Sequence, residues 1–497
     1  MNIIQINPTP LYRLSPYLFM QFAEPLGTTD TSIDAAWDFM ENKWQPRAVE
    51  IVKRLAPPML RWGGCFASYY HWEEGVGPHR VPMQNLCWDG IYLNQVGTAE
   101  LAELAVECHS DLLFCVNFES DGRMNWAHPA NGEDRLGTAE EAAGWVRYCN
   151  DPDNALRKSH GHAAPFNVRY WQIGNETSYD RNGYTSRQNA ERAPLFIKAM
   201  HEADPSIKLI VWGDGENNAW QKRYLDGQTC DWTADICEAV GDSAEMVAFH
   251  NHFGGGENYK ALHGMNYRID ADVTWEKMLE STRDFEDRIL YMEKSVAPYG
   301  RKLAVTEGHY AIGGRHRGDF LSSWYAGVAY ARCANMLQRH GQTIEIATLA
   351  DFMGNRWQNN AIMLPTPIRN SRPYFLPVGT IKKLFSQHIG TEAVAVQAPD
   401  GVDAAASVHG DTLWLHLVNL SRTTSRTMAF SIPGFQTTPN RILEIAANPQ
   451  DEVYDQVADI FEPKEVASEG NRYVLPVAGV AVIEFSKISK DGSEKIS

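Results

Sequence analysis

Between about residues 18 and 365, short apolar runs of β type alternate with longer stretches of helical period. The runs fall at 18–22, 59–61, 112–117, 168–173, 209–213, 246–250, 303–306 and 344–350, eight in all. Their apolar character is continuous rather than alternating, as in parallel strands covered on both faces. Segments such as Thr98-Ala-Glu-Leu-Ala-Glu-Leu-Ala-Val-Glu-Cys108 supply the helical period between them. Eight such units predict an α/β fold of (β/α)8 TIM-barrel type. The rival is a doubly wound open sheet. No G-x-G-x-x-G follows any run, and Gly254-Gly-Gly256 lacks the Lys or Ser/Thr of a phosphate loop. After about residue 369 the period shortens, and seven brief β runs separated by turn residues predict an all-β, jelly-roll-like sandwich. The expected domains are therefore an N-terminal strand over 1–17 pairing with the β domain, a catalytic barrel over 18–368, and a sandwich over 369–497. The sandwich ends in a polar, frayed tail from Ser486.

Composition narrows the function classes. Of 497 residues, 44% are hydrophobic and 22% charged, which excludes a disordered or low-complexity chain. With 45 Lys+Arg against 62 Asp+Glu, the net charge of −17 disfavours nucleic acid and anionic membrane surfaces as partners. Eight cysteines, Cys230 among them, are sparse and form no C-x-x-C, so they read as reduced thiols. Met1-Asn-Ile-Ile-Gln-Ile-Asn-Pro8 has neither the basic nor the sustained apolar region of a signal peptide. No apolar run is long enough to span a bilayer. A cytoplasmic location is the expectation.

Two carboxylates stand where a barrel places its chemistry, at the C-terminal ends of strands. Glu176 closes Arg169-Tyr-Trp-Gln-Ile-Gly-Asn-Glu176, and Glu307 closes Leu303-Ala-Val-Thr-Glu307. They belong to the fourth and seventh runs, which face one another across a closed barrel's mouth. Glycosidic cleavage needs one carboxyl held protonated for the leaving group and one ionised to attack or to activate water.

Tyr170-Trp-Gln-Ile-Gly-Asn-Glu176 resembles the strand-four acid/base motif of clan A retaining glycosidases. Further segments resemble glycoside hydrolase family 51, the α-L-arabinofuranosidases: Ser15-Pro-Tyr-Leu-Phe-Met-Gln-Phe-Ala-Glu24, Leu60-Arg-Trp-Gly-Gly-Cys-Phe-Ala-Ser-Tyr-Tyr-His-Trp-Glu-Glu-Gly-Val-Gly-Pro78, Asn94-Gln-Val-Gly-Thr-Ala-Glu-Leu101 and the stretch 137–150. The resemblance implies Glu176 as general acid/base, Glu307 as nucleophile, and Glu24, Cys65, Asn175 and Gln358 as sugar contacts, with Arg61 supporting the carboxylates. It further implies release of terminal furanosyl residues, most simply α-L-arabinofuranose from plant-type oligosaccharides, with no cofactor or metal, and a homo-oligomeric assembly.

Departures bear on specificity. The family's His-x-Tyr after the sixth strand is here His250-Asn-His252, and its Glu-Trp-Asn is here Glu307-Gly-His309. The sugar-pocket wall is altered, so a β-D-galactofuranosidase or a pyranosidase of the same clan stays open. Two other classes also stay open. His250 and His252, at i and i+2 on one strand, could ligate a hydrolytic metal with Glu307 or His309. Alternatively, Trp62, Trp72, Trp212 and Trp357 could stack on sugars in a non-catalytic binding protein.

Overall fold

A computed structural model describes residues 2–118, 136–178, 185–215, 231–312, 318–368 and 370–488. Cys230 and residues 489–497 of the polar tail lie outside the described residues. The first strand, β1 (Asn2–Arg13), precedes a parallel series: β2 (Gln21–Ala23), β3 (Met59–Trp62), β4 (Asp111–Val116), β5 (Tyr170–Ile173), β6 (Lys208–Trp212), β7 (Met246–Phe253), β8 (Lys302–Tyr310) and β9 (Ile344–Ala347). Successive members from β2 to β9 pair in parallel. The sheet closes where Tyr17 bridges Ile346 and the amide of Met20 donates to the Ala347 carbonyl at 2.9 Å. The eight runs of the sequence are these eight strands.

Each strand from β2 onward leads into a helix: α1 (Pro46–Leu55), α2 (Thr98–Cys108), α3 (Ala139–Asn150), α4 (Ser186–Ala203), α5 (Trp232–Val240), α6 (Ala271–Val296), α7 (Trp324–Arg339) and α8 (Pro377–Ser386). The continuous apolar runs follow from burial on two sides. Leu113, Ile210, Met246, Ala304 and Ile346 fill the barrel interior, while their neighbours Leu112, Phe114, Leu209, Leu303 and Val305 pack under the helices. Helix α8 follows residue 368, yet it packs on the barrel core through Ile381 and Phe385. Its buried Lys382 donates to the Met20 carbonyl at 2.7 Å and to Thr348 Oγ1 at 3.0 Å, tying the closing seam. After β9 come β10 (Asp351–Gly354), which pairs with β2 through Asp351 and Phe22, and β11 (Asn360–Met363).

The rest of the chain forms β12 (Glu392–Gln397), β13 (Val402–His409), β14 (Thr412–Asn419), β15 (Arg426–Ser431), β16 (Arg441–Ile445), β17 (Arg472–Leu475) and β18 (Val480–Ser486). β1 joins them, antiparallel to β12 and parallel to β15. The sheet runs in the order β16-β18-β14-β13-β12-β1-β15-β17 and curls over its own core, including Ile4, Leu415, Phe430 and Phe485. This is the β-sandwich beside the barrel. It docks on α7, where Arg339 Nη1 meets Asp403 at 3.1 Å and Trp324 Nε1 donates to the Ala478 carbonyl at 2.8 Å. Among the described residues, no helix is long and apolar enough to cross a membrane.

At this junction buried His416 accepts from Gln338 Nε2 on Nδ1 at 2.8 Å and donates from Nε2 to the His388 carbonyl at 2.7 Å. Burial lowers its pKa to about 4. An unfolded histidine takes up a proton near pH 6.5, so the native state loses stability as pH falls from about 6.5 towards 4. Calorimetric unfolding should therefore show a destabilisation from this residue on the order of 1–3 kcal/mol over that window. His416→Gln should start less stable at pH 7 and lose less on acidification. An equal loss in both proteins would deny the linkage.

Candidate active site

The site is built at the C-terminal ends of the barrel strands. Glu24 directly follows β2, Arg61 lies in β3, Asn175 and Glu176 follow β5, His250 and His252 lie in β7, and Glu307 lies in β8. Alternation alone would not bring Glu307 inward, since Ala304 faces the interior and Val305 the helices. The pairing of β7 with β8 steps from Phe249↔Val305 to His250↔Glu307. Thr306 is thus the extra residue of a bulge, and the bulge turns Glu307 towards β7. Glu176 is held in the left-handed region, at φ 54°, directly after the Gly174 turn. A non-glycine residue there costs of order 1 kcal/mol, a strain that recurs at functional sites.

Arg61 is wholly buried and its guanidinium is the hub. Nε donates to Gln172 Oε1 at 3.0 Å, Nη2 to Asn175 Oδ1 at 2.6 Å, and Nη1 to Glu307 Oε1 at 3.0 Å and the Thr306 carbonyl at 3.3 Å. Glu24 Oε1 accepts from the Cys65 amide and from Trp88 Nε1, both at 2.9 Å. Gly64, at φ +136°, lets that amide approach, because a Cβ there would stand 2.3 Å from the Glu24 carboxyl carbon. Cys65 Sγ lies 3.6 Å from Glu176 Oε2. His250 Nδ1 contacts Glu176 Oε1 at 3.0 Å and Glu307 Oε2 at 3.5 Å, while its Nε2 meets Thr306 Oγ1 at 3.2 Å. His252 Nε2 lies 3.9 Å from Glu307 Oε2, and its ring stacks on His309 at 4.3 Å.

Burial governs the electrostatics. It pushes Glu24 up to about 7, with the Trp88 indole opposing and the Glu176 charge adding. It also holds Glu307 well above the usual carboxylate range, reinforced by Glu24 and opposed by Arg61. His250 falls to about 4 and His309 to about 3, both chiefly through burial. At neutral pH the imidazoles are therefore uncharged. Asp351 is buried with neither carboxyl oxygen hydrogen-bonded, and burial with the charges of Glu24 and Glu307 raises it strongly.

These groups open on a cavity of about 360 Å3 lined by Glu24, Cys65, Glu176, His252 and Glu307. Arg61, Asn175 and His250 stand behind that surface as the groups the carboxylates are bonded to. Gln358 is not among the lining residues. Its Oε1 accepts from the Gly318 amide at 3.1 Å, while its neighbours Trp357 and Asn359 face the cavity. His309, singled out in the sequence as an altered wall position, lines the cavity, and sequence reasoning missed Trp88, Asp351 and Asn359, which line it too. Asp351 carried one usable signal, an acid just beyond the eighth apolar run. A wider groove of about 1110 Å3 lies at the opposite end, where Asp111 begins β4, away from the strand C-termini.

Buried carboxylates converging on a cavity at the mouth of a (β/α)8 barrel are the arrangement of a glycosidase. Residues 51–250 match the family model described as the Alpha-L-arabinofuranosidase 1 domain. The Alpha-L-arabinofuranosidase C of Emericella nidulans is 30% identical over 317 residues, 61% of this chain and 58% of that protein. The Intracellular exo-alpha-(1->5)-L-arabinofuranosidase 1 of Bacillus subtilis is 27% identical over 227 residues, 44% of this chain and 41% of that protein. The chain matches about a third to three fifths of the length of its curated relatives. A solved family 51 arabinofuranosidase from Xanthomonas axonopodis pv. citri is 18% identical and superposes with a TM-score of 0.79 over 98% of this chain and 100% of that one. The likeness thus holds in sequence to the Alpha-L-arabinofuranosidase 1 domain over 51–250, and in fold to a family 51 structure over nearly the whole chain.

Because the Glu24 charge raises Glu307, Glu24→Gln should lower it. The glutamine Oε1 can still accept from Cys65 and Trp88. The acidic limb of the kcat/KM pH profile is then expected to move to lower pH. A limb that stays in place would show that Glu24 carries no charge at working pH.

Proposed function

We propose that the protein is a retaining, exo-acting α-L-arabinofuranosidase that releases terminal non-reducing arabinofuranose from plant-type oligosaccharides. One observation carries the mechanism: a single nitrogen, His250 Nδ1, contacts both Glu176 Oε1 at 3.0 Å and Glu307 Oε2 at 3.5 Å. The two oxygens are separated by no more than the sum of those distances. That sum only reaches the lower edge of the roughly 6.5–9.5 Å spacing of inverting enzymes, so the pair belongs with double displacement.

Glu307, with Arg61 on its carboxylate, attacks the anomeric carbon. Glu176, whose backbone turn sets it across the cleft, gives its proton to the departing oxygen and then takes one from the incoming water. The three carboxyls of Glu24, Glu176 and Glu307 titrate as a set, and burial keeps a proton among them at pH values where isolated carboxylates have lost theirs. Arg61 is bonded to Glu307 and favours its ionised form against the burial and the Glu24 charge that raise it. Asn175 Nδ2 is buried with no partner and is a donor for a sugar hydroxyl, and the Asp351 carboxyl offers a second polar contact. A cavity of about 360 Å3 suits a single terminal residue, and the Bacillus relative is itself named as exo-acting and intracellular. A cytoplasmic location and homo-oligomeric assembly are part of the proposal. His252 and His309 replace the family's usual wall, and a β-D-galactofuranoside is the alternative substrate they favour testing.

Aryl α-L-arabinofuranoside, β-D-galactofuranoside, β-D-xyloside and β-D-glucoside should be compared with and without EDTA. Turnover of one furanoside, indifferent to EDTA, is expected. Glu307→Ala should lose at least ~10³-fold in kcat. Glu176→Ala should regain rate with azide on an activated leaving group, because azide displaces Glu307 from the glycosyl-enzyme without a general base, giving a glycosyl azide that retains the anomeric configuration of the substrate. Near-normal turnover by Glu307→Ala would remove it as nucleophile.

A further inference from the structure

We propose that His250, His252 and Glu307 form a binding site for a divalent transition metal of zinc type, and that its occupation reversibly blocks the cleft. The blocking role rests on the two-carboxylate reading above. The site itself rests on geometry.

One ligand atom from each of the three side chains lies within 4.8 Å of the others. His250 Nδ1 and His252 Nε2 stand 3.5 and 3.9 Å from the same oxygen, Glu307 Oε2. Tetrahedral zinc with bonds of 2.0–2.2 Å places its ligands roughly 3.3 Å apart, so Glu307 Oε2 needs to close by about 0.2 Å on His250 and about 0.6 Å on His252, while the two nitrogens start no more than 4.8 Å apart. The backbone supplies the arrangement. His250 and His252 leave the same face of β7, and the bulge at Thr306 turns Glu307 towards them. Glu176 Oε1, 3.0 Å from His250 Nδ1, is the nearest further oxygen.

Both imidazoles are oriented from behind. Thr306 Oγ1 faces His250 Nε2 at 3.2 Å, and when it accepts that N–H the Nδ1 lone pair is directed into the cleft. His252 stacks on His309 with 27° between their planes, which fixes its ring, and it remains 28% exposed, which admits an ion from solvent. Two imidazole nitrogens and a carboxylate suit zinc or copper far better than magnesium or calcium. The residue that makes the difference is His252. A tyrosine phenol there, as in the resembling family, would leave one imidazole and a carboxylate. A bound metal would hold Glu307 Oε2 away from the anomeric carbon and take the His250 nitrogen that Glu176 uses, so it would exclude substrate rather than assist it.

A second group, Glu24, Cys65 and Cys87, also has ligand atoms within 4.8 Å of one another in the same cleft, and the test separates the two. Chelator-treated full-length protein is titrated with ZnCl2 by calorimetry and with CoCl2 by visible absorption, and inhibition is measured against aryl arabinofuranoside. Expected are one ion per chain, tetrahedral cobalt bands, and inhibition competitive with substrate and reversed by EDTA. His252→Phe should weaken both zinc binding and inhibition at least ~10-fold, since even outer-sphere changes cost 10–100-fold. Cys65→Ala should retain both, with thermal unfolding confirming that each variant folds. Absence of a cobalt spectrum, inhibition unchanged in His252→Phe, or inhibition lost in Cys65→Ala would overturn the site. Activity lost on adding EDTA to untreated enzyme would overturn the blocking role. Zinc bound through His252 by a protein inactive on every glycoside would sink the proposed function while sustaining the site.

Discussion

Arg61 is a fixed charge sealed inside the barrel mouth, and the rest of the site is arranged around it. Its guanidinium reaches three strands at once: it lies in β3, bonds Gln172 in β5 and Asn175 just beyond it, and bonds Thr306 and Glu307 in β8. A buried cation is tolerable only when its donors are satisfied and a counter-charge is near. The Glu307 carboxylate at 3.0 Å supplies the charge, and amide and carbonyl oxygens take the other donors. The dependence is mutual, because Arg61 opposes the burial and the neighbouring carboxylate charge that raise Glu307. The backbone concedes space for this group, since a Cβ on Gly63 would stand 2.8 Å from the guanidinium. Gln172 is itself fixed by donating from Nε2 to the Gly174 carbonyl at 2.9 Å, so the Arg61 network also holds the turn that presents Glu176.

The periodic part of this architecture was legible in the sequence. Strands covered on both faces must be apolar throughout, and all eight runs are strands of the barrel. Less legible was where the barrel ends. Helix α8 follows the Pro-rich stretch that reads as a boundary, yet Lys382 on it ties the seam between the strand region at Met20 and Thr348. A lysine in a short helix gives no hint that it is buried. Position along the chain, rather than composition, decides that it sits over the closing seam.

The site was legible where one residue type had to stand at a strand end, and less so where local geometry chose the face. Glu176 and Glu307 could be named, but the register step at Thr306 that aims Glu307 inward could not. Nothing in Val305-Thr306-Glu307 distinguishes a bulged strand from a regular one. Gln358 shows the converse. The family resemblance implies it as a sugar contact, and in the structure its side-chain oxygen accepts from the Gly318 amide while Trp357 and Asn359 face the cavity. Asp351 escaped notice because it is an ordinary residue until tertiary packing buries it beside other titratable groups.

That crowding has a physical consequence. Glu24, Glu176, Glu307 and Asp351 border one cavity of about 360 Å3, with Arg61 as the cation bonded to one of them. Four ionised carboxylates in so dry a space would repel one another strongly, and removing protons one at a time becomes progressively harder. A proton is therefore retained without any dedicated donor. The same crowding that makes one carboxyl an acid near neutrality makes the cavity attractive to positive charge, whether it develops on a sugar ring during bond cleavage or arrives as a metal ion. In the family's usual arrangement a phenol stands beside the nucleophile and offers such an ion little. Here His252 stands there instead, so stabilising a transient cation and binding a permanent one fall to the same few atoms.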